Sequence, residues 1–220
     1  MPPLPSTVDW RQKGAVTLVK DQGQYGCSSA FSAVATTEGI HALTTGKLIT
    51  LSEQELVDCD TKGVDQGCEG GLIDDAFKFI IQNHGLDTEA NYPYEGVDGT
   101  SNANEASQHV ASIMGMRMSL PTLRRYCKRL WPINQFRLPL MPVALTFNFT
   151  RMVFSLAHVE LSYGVTAVGY GVSDGGTEYW LVKNSWGTVW VEEGYLRLQR
   201  GVDSEEGLSG IAVQASYPIV

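Results

Sequence analysis

Apolar positions along the chain change their period once. From Ser28 to about Leu43, Phe31, Val34, Ala35, Glu38 and Ile40 fall near a 3.6-residue repeat, and Gly46 follows as a stop, so the pattern predicts a buried helix. Ser52 and Glu55 sit three apart ahead of Leu56 and Val57, a capping box for a short helix running through Cys59. The run GCEGGLIDDAFKFIIQNHGL, Gly67 to Leu86, joins a glycine-rich loop to an amphipathic helix carrying Ile73, Ala76, Phe77, Ile80 and Ile81. Tyr92-Pro93-Tyr94 marks an ordered loop beyond it.

From Val165 onward the pattern is one of short strands. Gly164 to Val172 and Glu178 to Gly187 are β-rich and separated by a Ser-Asp-Gly-Gly turn, Gly194 to Gly201 alternates like a half-buried strand, and the chain closes on SYPIV. Helices first and strands later predict an α+β protein of two lobes, a mainly helical one over 1–110 and a β-rich, barrel-like one over 111–220, with a cleft between them. Residues 116–162 stand apart. RRYCKRLWP is basic in an acidic chain, and LPLMPVALTFNF is apolar with prolines spaced as in no ordinary strand.

Composition narrows the function. The chain has 220 residues, 43% of them hydrophobic, and a net charge of -8, which suits a folded domain with a substantial core and argues against a nucleic-acid partner. No apolar run approaches the roughly 18 to 20 residues that span a bilayer. No signal peptide precedes Met1, and MPPLPSTVDW reads as a mature N-terminus behind an initiator Met, so any targeting segment or propeptide is expected to be absent. A secreted or vacuolar/lysosomal hydrolase fits this balance. The four cysteines, Cys27, Cys59, Cys68 and Cys127, match no zinc spacing, and no metal or other cofactor is expected.

The stretch KDQGQYGCSSAFSAVATTEGI, Lys20 to Ile40, places a turn directly before a small-residue helix start. Unpaired N–H groups and the positive dipole end at such a place favour a thiolate or an oxyanion. This stretch resembles the papain family of cysteine proteases, whose pattern is Gln-Gly-x-Cys-Gly-[Ser/Cys]-Cys-Trp-Ala-Phe-Ser. Gln22, Gly23, Gly26, Ala30, Phe31 and Ser32 match it, and VDWRQKGAV, SEQELVDCD, VGYG and KNSWG extend the likeness over about residues 5–115 and 163–220.

The resemblance implies a peptide-cleaving cleft. Gln22 is the oxyanion donor, Asn184 the residue that orients the base, Gly70 and Gly71 the substrate-backbone site, Leu72 and Ile73 the mouth of the specificity pocket, and Trp186 a further wall. Implied partners are a peptide or protein substrate, cystatin-like inhibitors and a propeptide, with the protein a monomer that engages neither nucleic acid nor membrane. Departures fall where the chemistry should be: Ser28 stands for the nucleophilic cysteine, Tyr163 for the base histidine, Tyr25 for a disulfide cysteine and Ser29 for tryptophan. A serine hydroxyl needs a strong base, and a phenol of ordinary pKa about 10 is not one near neutrality. His158, five residues before Tyr163, is the one candidate for a substitute base in this part of the chain, but a lone histidine in such a setting is more often a surface residue; His41, His84 and His109 receive no role. The resemblance implies a papain-like cysteine endopeptidase, with the chain as written expected to be impaired or inactive because Ser28 and Tyr163 replace the nucleophile and the base; the alternatives are a non-catalytic homologue binding peptides or inhibitors and a weak serine-type variant using Ser28.

Each of the three disulfides that the resemblance implies has lost a member: Tyr25 opposite Cys68, Ser101 opposite Cys59, and Ser209 opposite a cysteine missing from the middle of the chain. Such losses cost about 2 to 5 kcal/mol each. The odd middle segment has a residue-by-residue explanation. Arg129 to Gln135 admit codons that, read two bases later, spell Ala-Val-Ala-Asn-Gln-Pro, and Phe136 to Thr150 likewise admit family-like sequence in that frame. Residues 116–162 therefore read as frame-shifted relative to the family, and the sequon Asn148-Phe149-Thr150 as an accident of frame rather than a glycan site.

Overall fold

The protein is described by a computed structural model covering residues 5–60, 71–101, 106, 108–118, 143–148, 162–203, 208 and 214–220. Among these, ten elements follow one another: β1 (Val8–Asp9), α1 (Ser28–Thr45), α2 (Gln54–Cys59), α3 (Ile73–Gln82), β2 (Gly115–Met118), β3 (Val143–Asn148), β4 (Ser162–Val172), β5 (Glu178–Lys183), β6 (Tyr195–Gln199) and β7 (Gln214–Ile219). The helices-then-strands order is the α+β arrangement that the sequence pattern predicts.

The helix α1 is buried on most sides, which suits its run of Ala, Ser and Thr between larger apolar residues. It ends where Gly46 adopts φ 75° and returns its N–H to Ala42 O, the left-handed cap that glycine takes without strain. Phe31, Val34 and Ile40 of α1 meet Leu51, Leu56, Phe77, Ile80 and Leu86 in one apolar core. The capping box forms by half. Ser52 Oγ accepts the Glu55 N–H at 3.0 Å, but the Glu55 carboxylate turns away from Ser52 and accepts the backbone N–H of Asp87 at 2.8 Å instead.

The strands form one antiparallel sheet in the order β2-β7-β3-β4-β5-β6, with β1 also on β4. Among the described residues β2 and β6 end the order without pairing to each other, so the sheet is open, in contrast to the barrel-like closure expected. Val165, Ala167, Val182, Leu198 and Ala215 fill its core. Two glycines of the GVTAVGYG run are explained by close approach. A Cβ on Gly169 would lie 2.2 Å from Val8 O, and one on Gly164 would lie 2.6 Å from Ser28 O. Gly164 thus lets β4 press directly on the first residue of α1.

The middle segment departs from expectation at its described ends. Residues 115–118 pair with β7, and Val143–Asn148 forms β3 between β4 and β7. The prolines of LPLMP end at Pro142, and the VALTFN that follows is rich in β-forming residues with every N–H available to the ladder. The part from 119 to 142, with Cys127 and the basic run, lies outside the described residues.

Candidate active site

The segment Lys20–Gln22 is strapped to the run after β5: Gln22 N donates to Ser185 O at 2.9 Å, Gly187 N donates to Lys20 O at 3.1 Å, and Asp21 bridges Trp186. This places Gln22, at 2% exposure, under Ser185. Its Oε1 accepts two hydrogen bonds of 2.6 Å, from the Tyr163 hydroxyl and from Ser185 Oγ. Its Nε2 donates to the carbonyl of Tyr25. Both ends of the amide are therefore engaged within the protein.

Ser28 opens α1 and is buried at 6% exposure, with its Oγ accepting the Gly164 N–H at 3.0 Å. Tyr163 is the neighbouring residue on β4. Its hydroxyl also lies 3.2 Å from Ser185 Oγ, and its ring meets Trp186 edge-on at 4.9 Å between centroids. Trp186 in turn meets Trp190 at 5.3 Å. Burial pushes the Tyr163 phenol well above its ordinary value; the bond to Ser185 opposes this and the charge of Asp21 adds to it. The phenol is a proton donor here and not a base. Asn184 is buried, and its Oδ1 accepts the N–H of Ser185 at 2.8 Å rather than a bond from Tyr163.

The structure thus joins Gln22, Ser28, Tyr163, Asn184 and Trp186 through short steps across one neighbourhood. The other expected site residues sit at the start of α3 or lie outside the described residues. Leu72 is 44% exposed and its carbonyl accepts the Asp75 and Ala76 N–H groups at the start of α3, while Ile73 is 5% exposed and packs in the helical core. Gly71 is exposed, and Gly70, His158, Cys68, Cys127 and Ser209 lie outside the described residues. Ser185 takes no role in the sequence expectations. Its hydroxyl links Gln22 to Tyr163, and its position inside KNSWG, between Asn184 and Trp186, was the available signal.

Two cysteines refine the disulfide expectations. Cys59 is a free thiol whose Sγ lies 2.6 Å from Ser101 Oγ, in line with Ser101 standing opposite Cys59. Burial raises the pKa of that thiol, and the bond to Ser101 opposes the rise. Cys27, by contrast, is disulfide-bonded, which corrects the expectation that every disulfide is broken. Tyr25 is 44% exposed and lies over Gly96, whereas Cys27, two residues along, is fully buried and carries the cross-link.

Behind the site, Lys20 binds three carboxylates. Its Nζ meets Glu53 at 2.6 Å, Glu38 at 3.5 Å and Glu89 at 3.7 Å, and donates to Leu51 O at 2.7 Å. Burial works against the ammonium, but Glu53 and Glu38 outweigh it and hold the Lys20 pKa above its ordinary value. Burial raises Glu53, opposed by Lys20. Thr17 Oγ1 bridges Glu38 at 2.5 Å to Lys183 Nζ at 2.9 Å, so the same cluster reaches β5. Among the described residues no group of three His, Cys, Asp or Glu suits a metal ion, and no helix is long and apolar enough to cross a membrane.

A helix N-terminus pressed against an antiparallel sheet, flanked by a buried glutamine and by a buried asparagine just after β5, is an arrangement of the papain-like class. The chain belongs to the papain family of cysteine proteases, whose family pattern matches residues 4–219. It is 50% identical over 224 residues to the senescence-specific cysteine protease SAG39 of rice, Oryza sativa subsp. indica, covering 98% of this chain and 63% of that relative. Vignain of Ricinus communis is 48% identical over 225 residues, with 98% of this chain and 60% of the relative covered. Among solved structures, the bromelain protease from Ananas comosus in complex with the E64 inhibitor superposes with a TM-score of 0.85 at 35% identity, over 99% of this chain and all of that one. The proform of the ragweed pollen allergen Amb a 11 gives a TM-score of 0.84 at 38% identity, over 100% of this chain and 60% of that one. The chain spans roughly three fifths of the length of the first of these curated relatives.

Proposed function

We propose that this chain is a papain-family peptidase homologue that keeps the cleft and has lost thiol-dependent peptide hydrolysis, with Ser28 standing where the family has its nucleophile and Tyr163 where it has its base. The observation that carries this reading is the Tyr163 hydroxyl donating to Gln22 Oε1 at 2.6 Å, beside a Ser28 hydroxyl held by the Gly164 N–H. A catalytic base would accept a proton at this point, and the phenol gives one. By analogy with serine proteases, removing nucleophile and base together lowers kcat on the order of 10^6.

Gln22, Asn184 and Trp186 support the reading as the remaining scaffold of such a site, with residues 70–73 as its substrate wall. A peptide, a cystatin-like inhibitor or a propeptide is the partner this cleft would take, in a secreted or vacuolar/lysosomal setting. Hydrolysis of a dipeptidyl fluorogenic substrate, with and without a thiol alkylator, tests the proposal. Background turnover with measurable peptide binding is expected, and alkylator-sensitive turnover would overturn it. Turnover that resists alkylation and disappears in Ser28→Ala would instead establish the serine-type alternative. Sequencing the source transcript across the codons for 116–162 tests the shifted-frame reading; an uninterrupted frame encoding these residues removes it.

A further inference from the structure

A small cavity lies behind the candidate site, between α1, β4 and the end of β5. Its polar wall includes Lys20, Ser32, Glu53, Thr166, Lys183 and Asn184, and its volume is about 20 Å³. One water needs about 10 to 15 Å³, so there is room for one.

Two side chains on that wall are short of partners. Lys183 is 6% exposed, and among the described residues its Nζ makes one hydrogen bond, donated to Thr17 Oγ1 at 2.9 Å. An ammonium has three N–H groups, so two are left without an acceptor. Glu53 is 1% exposed, and both of its carboxyl oxygens receive the same donor, Lys20 Nζ, at 2.7 and 2.6 Å. Lys20 has no hydrogen to spare for the cavity, because it also donates to Leu51 O at 2.7 Å. The charges of Lys20 and Glu53 both act on Lys183, which puts its ammonium on the side of the cavity that they share. Buried polar groups ordinarily find partners in the protein or in ordered water.

We propose that this cavity is a binding site for one water, which accepts an N–H of Lys183 and donates to a Glu53 carboxyl oxygen. An anion there faces Glu53 and a cation faces Lys183, whereas a water satisfies both. The acceptor required is a carboxyl oxygen, which Glu53 offers with or without a proton. With the hydroxyls of Ser32 and Thr166 on the same wall, the water has the two to four polar partners that buried waters keep. Burial lowers the Lys183 pKa and the charge of Glu38 opposes this; a water on the N–H groups favours the charged form as well. The bridge ties the end of β5 to the residue that precedes α2. Asn184 and Ser185, which follow Lys183 directly, belong to the candidate site.

A high-resolution crystal structure of the unmodified protein, with a bromide-soaked crystal beside it, tests the site. One density peak is expected in the cavity, about 2.6 to 3.2 Å from both Lys183 Nζ and a Glu53 carboxyl oxygen, with no anomalous bromide signal. A cavity without density, a peak that misses either group, or a bromide signal at that point each overturns the proposal. In Lys183→Met the peak is expected to disappear, and a water retained there at full occupancy overturns the role of the lysine. The unmodified crystals decide the question by themselves if that variant does not fold.

Discussion

Tyr163 and Ser185 converge on a single oxygen, Oε1 of Gln22, each at 2.6 Å, although Tyr163 is 141 residues from Gln22 in sequence. The amide nitrogen of Gln22 is at the same time committed to Tyr25 O. Together these bonds fix the orientation of the amide, with one Nε2 hydrogen spent on Tyr25 and both acceptor positions of Oε1 filled, one of them by the tyrosine that stands at the base position.

Relieving that contact and supplying the missing pair should act together. The double variant Ser28→Cys/Tyr163→His is expected to hydrolyse a dipeptidyl substrate at least about 10^3-fold faster than either single variant, because nucleophile and base act as a unit. Inhibition by a thiol alkylator checks the mechanism. Tyr163→Phe, by comparison, should leave hydrolysis at background and lower stability by about 1 kcal/mol through one lost hydrogen bond, read as a shift in urea midpoint.

Cys59 Sγ and Ser101 Oγ are 2.6 Å apart and 42 residues apart in sequence. Replacing Ser101→Cys should therefore close a disulfide under oxidising conditions and stabilise the fold by up to about 4 kcal/mol, following the loop-entropy scale. Loss of the reactive Cys59 thiol in a thiol titration, with a higher melting temperature that reductant reverses, checks it.

Lys20→Met would leave Glu53, Glu38 and Glu89 without the cation that now binds them. A cost of about 3 to 5 kcal/mol is expected at pH 7, shrinking in acid as the carboxylates protonate. The sign for the unmodified protein follows from the direction of the shift. The folded-state pKa of Lys20 is raised, so its contribution is complete below the ordinary lysine value and is lost only as pH rises through the higher folded value. Urea titrations at pH 5, 7 and 9 separate the two.

Val191 adopts φ 44° in the exposed turn between Trp190 and Gly194, a left-handed conformation that a β-branched side chain tolerates badly. Val191→Gly should remove strain on the order of 1 to 3 kcal/mol while adding unfolded-state entropy, for a net gain of about 1 kcal/mol. A higher urea midpoint at unchanged slope is the expected reading.

Much of this was legible beforehand where the signal is local. Gly46 marked the end of α1 because its left-handed cap is a property of one residue, and the apolar period of residues 73–81 marked α3. Strand β3 was less legible, because the prolines of LPLMP mask the strand-forming run behind them. Ser185 gives no local signal of its partners, because its importance comes from Tyr163, 22 residues away, and Gln22, 163 residues away. The Glu55 side chain obeyed its tertiary neighbours over its capping position, because a buried carboxylate needs donors and the Asp87 N–H and the Asn83 amide supply them.

The sequence by itself determined the α+β order, the papain-family resemblance and the residue types at positions 28 and 163, since these rest on local periodicity and on motifs read within short windows. Only the tertiary structure decided what those residues do to one another. It set the Tyr163 phenol on Gln22 and closed Gly164 over Ser28. It also left Cys59 facing Ser101 and put the cross-link on Cys27. Hydrogen bonds and burial depend on distances between segments 42 to 141 residues apart in these cases, and no local pattern carries that information.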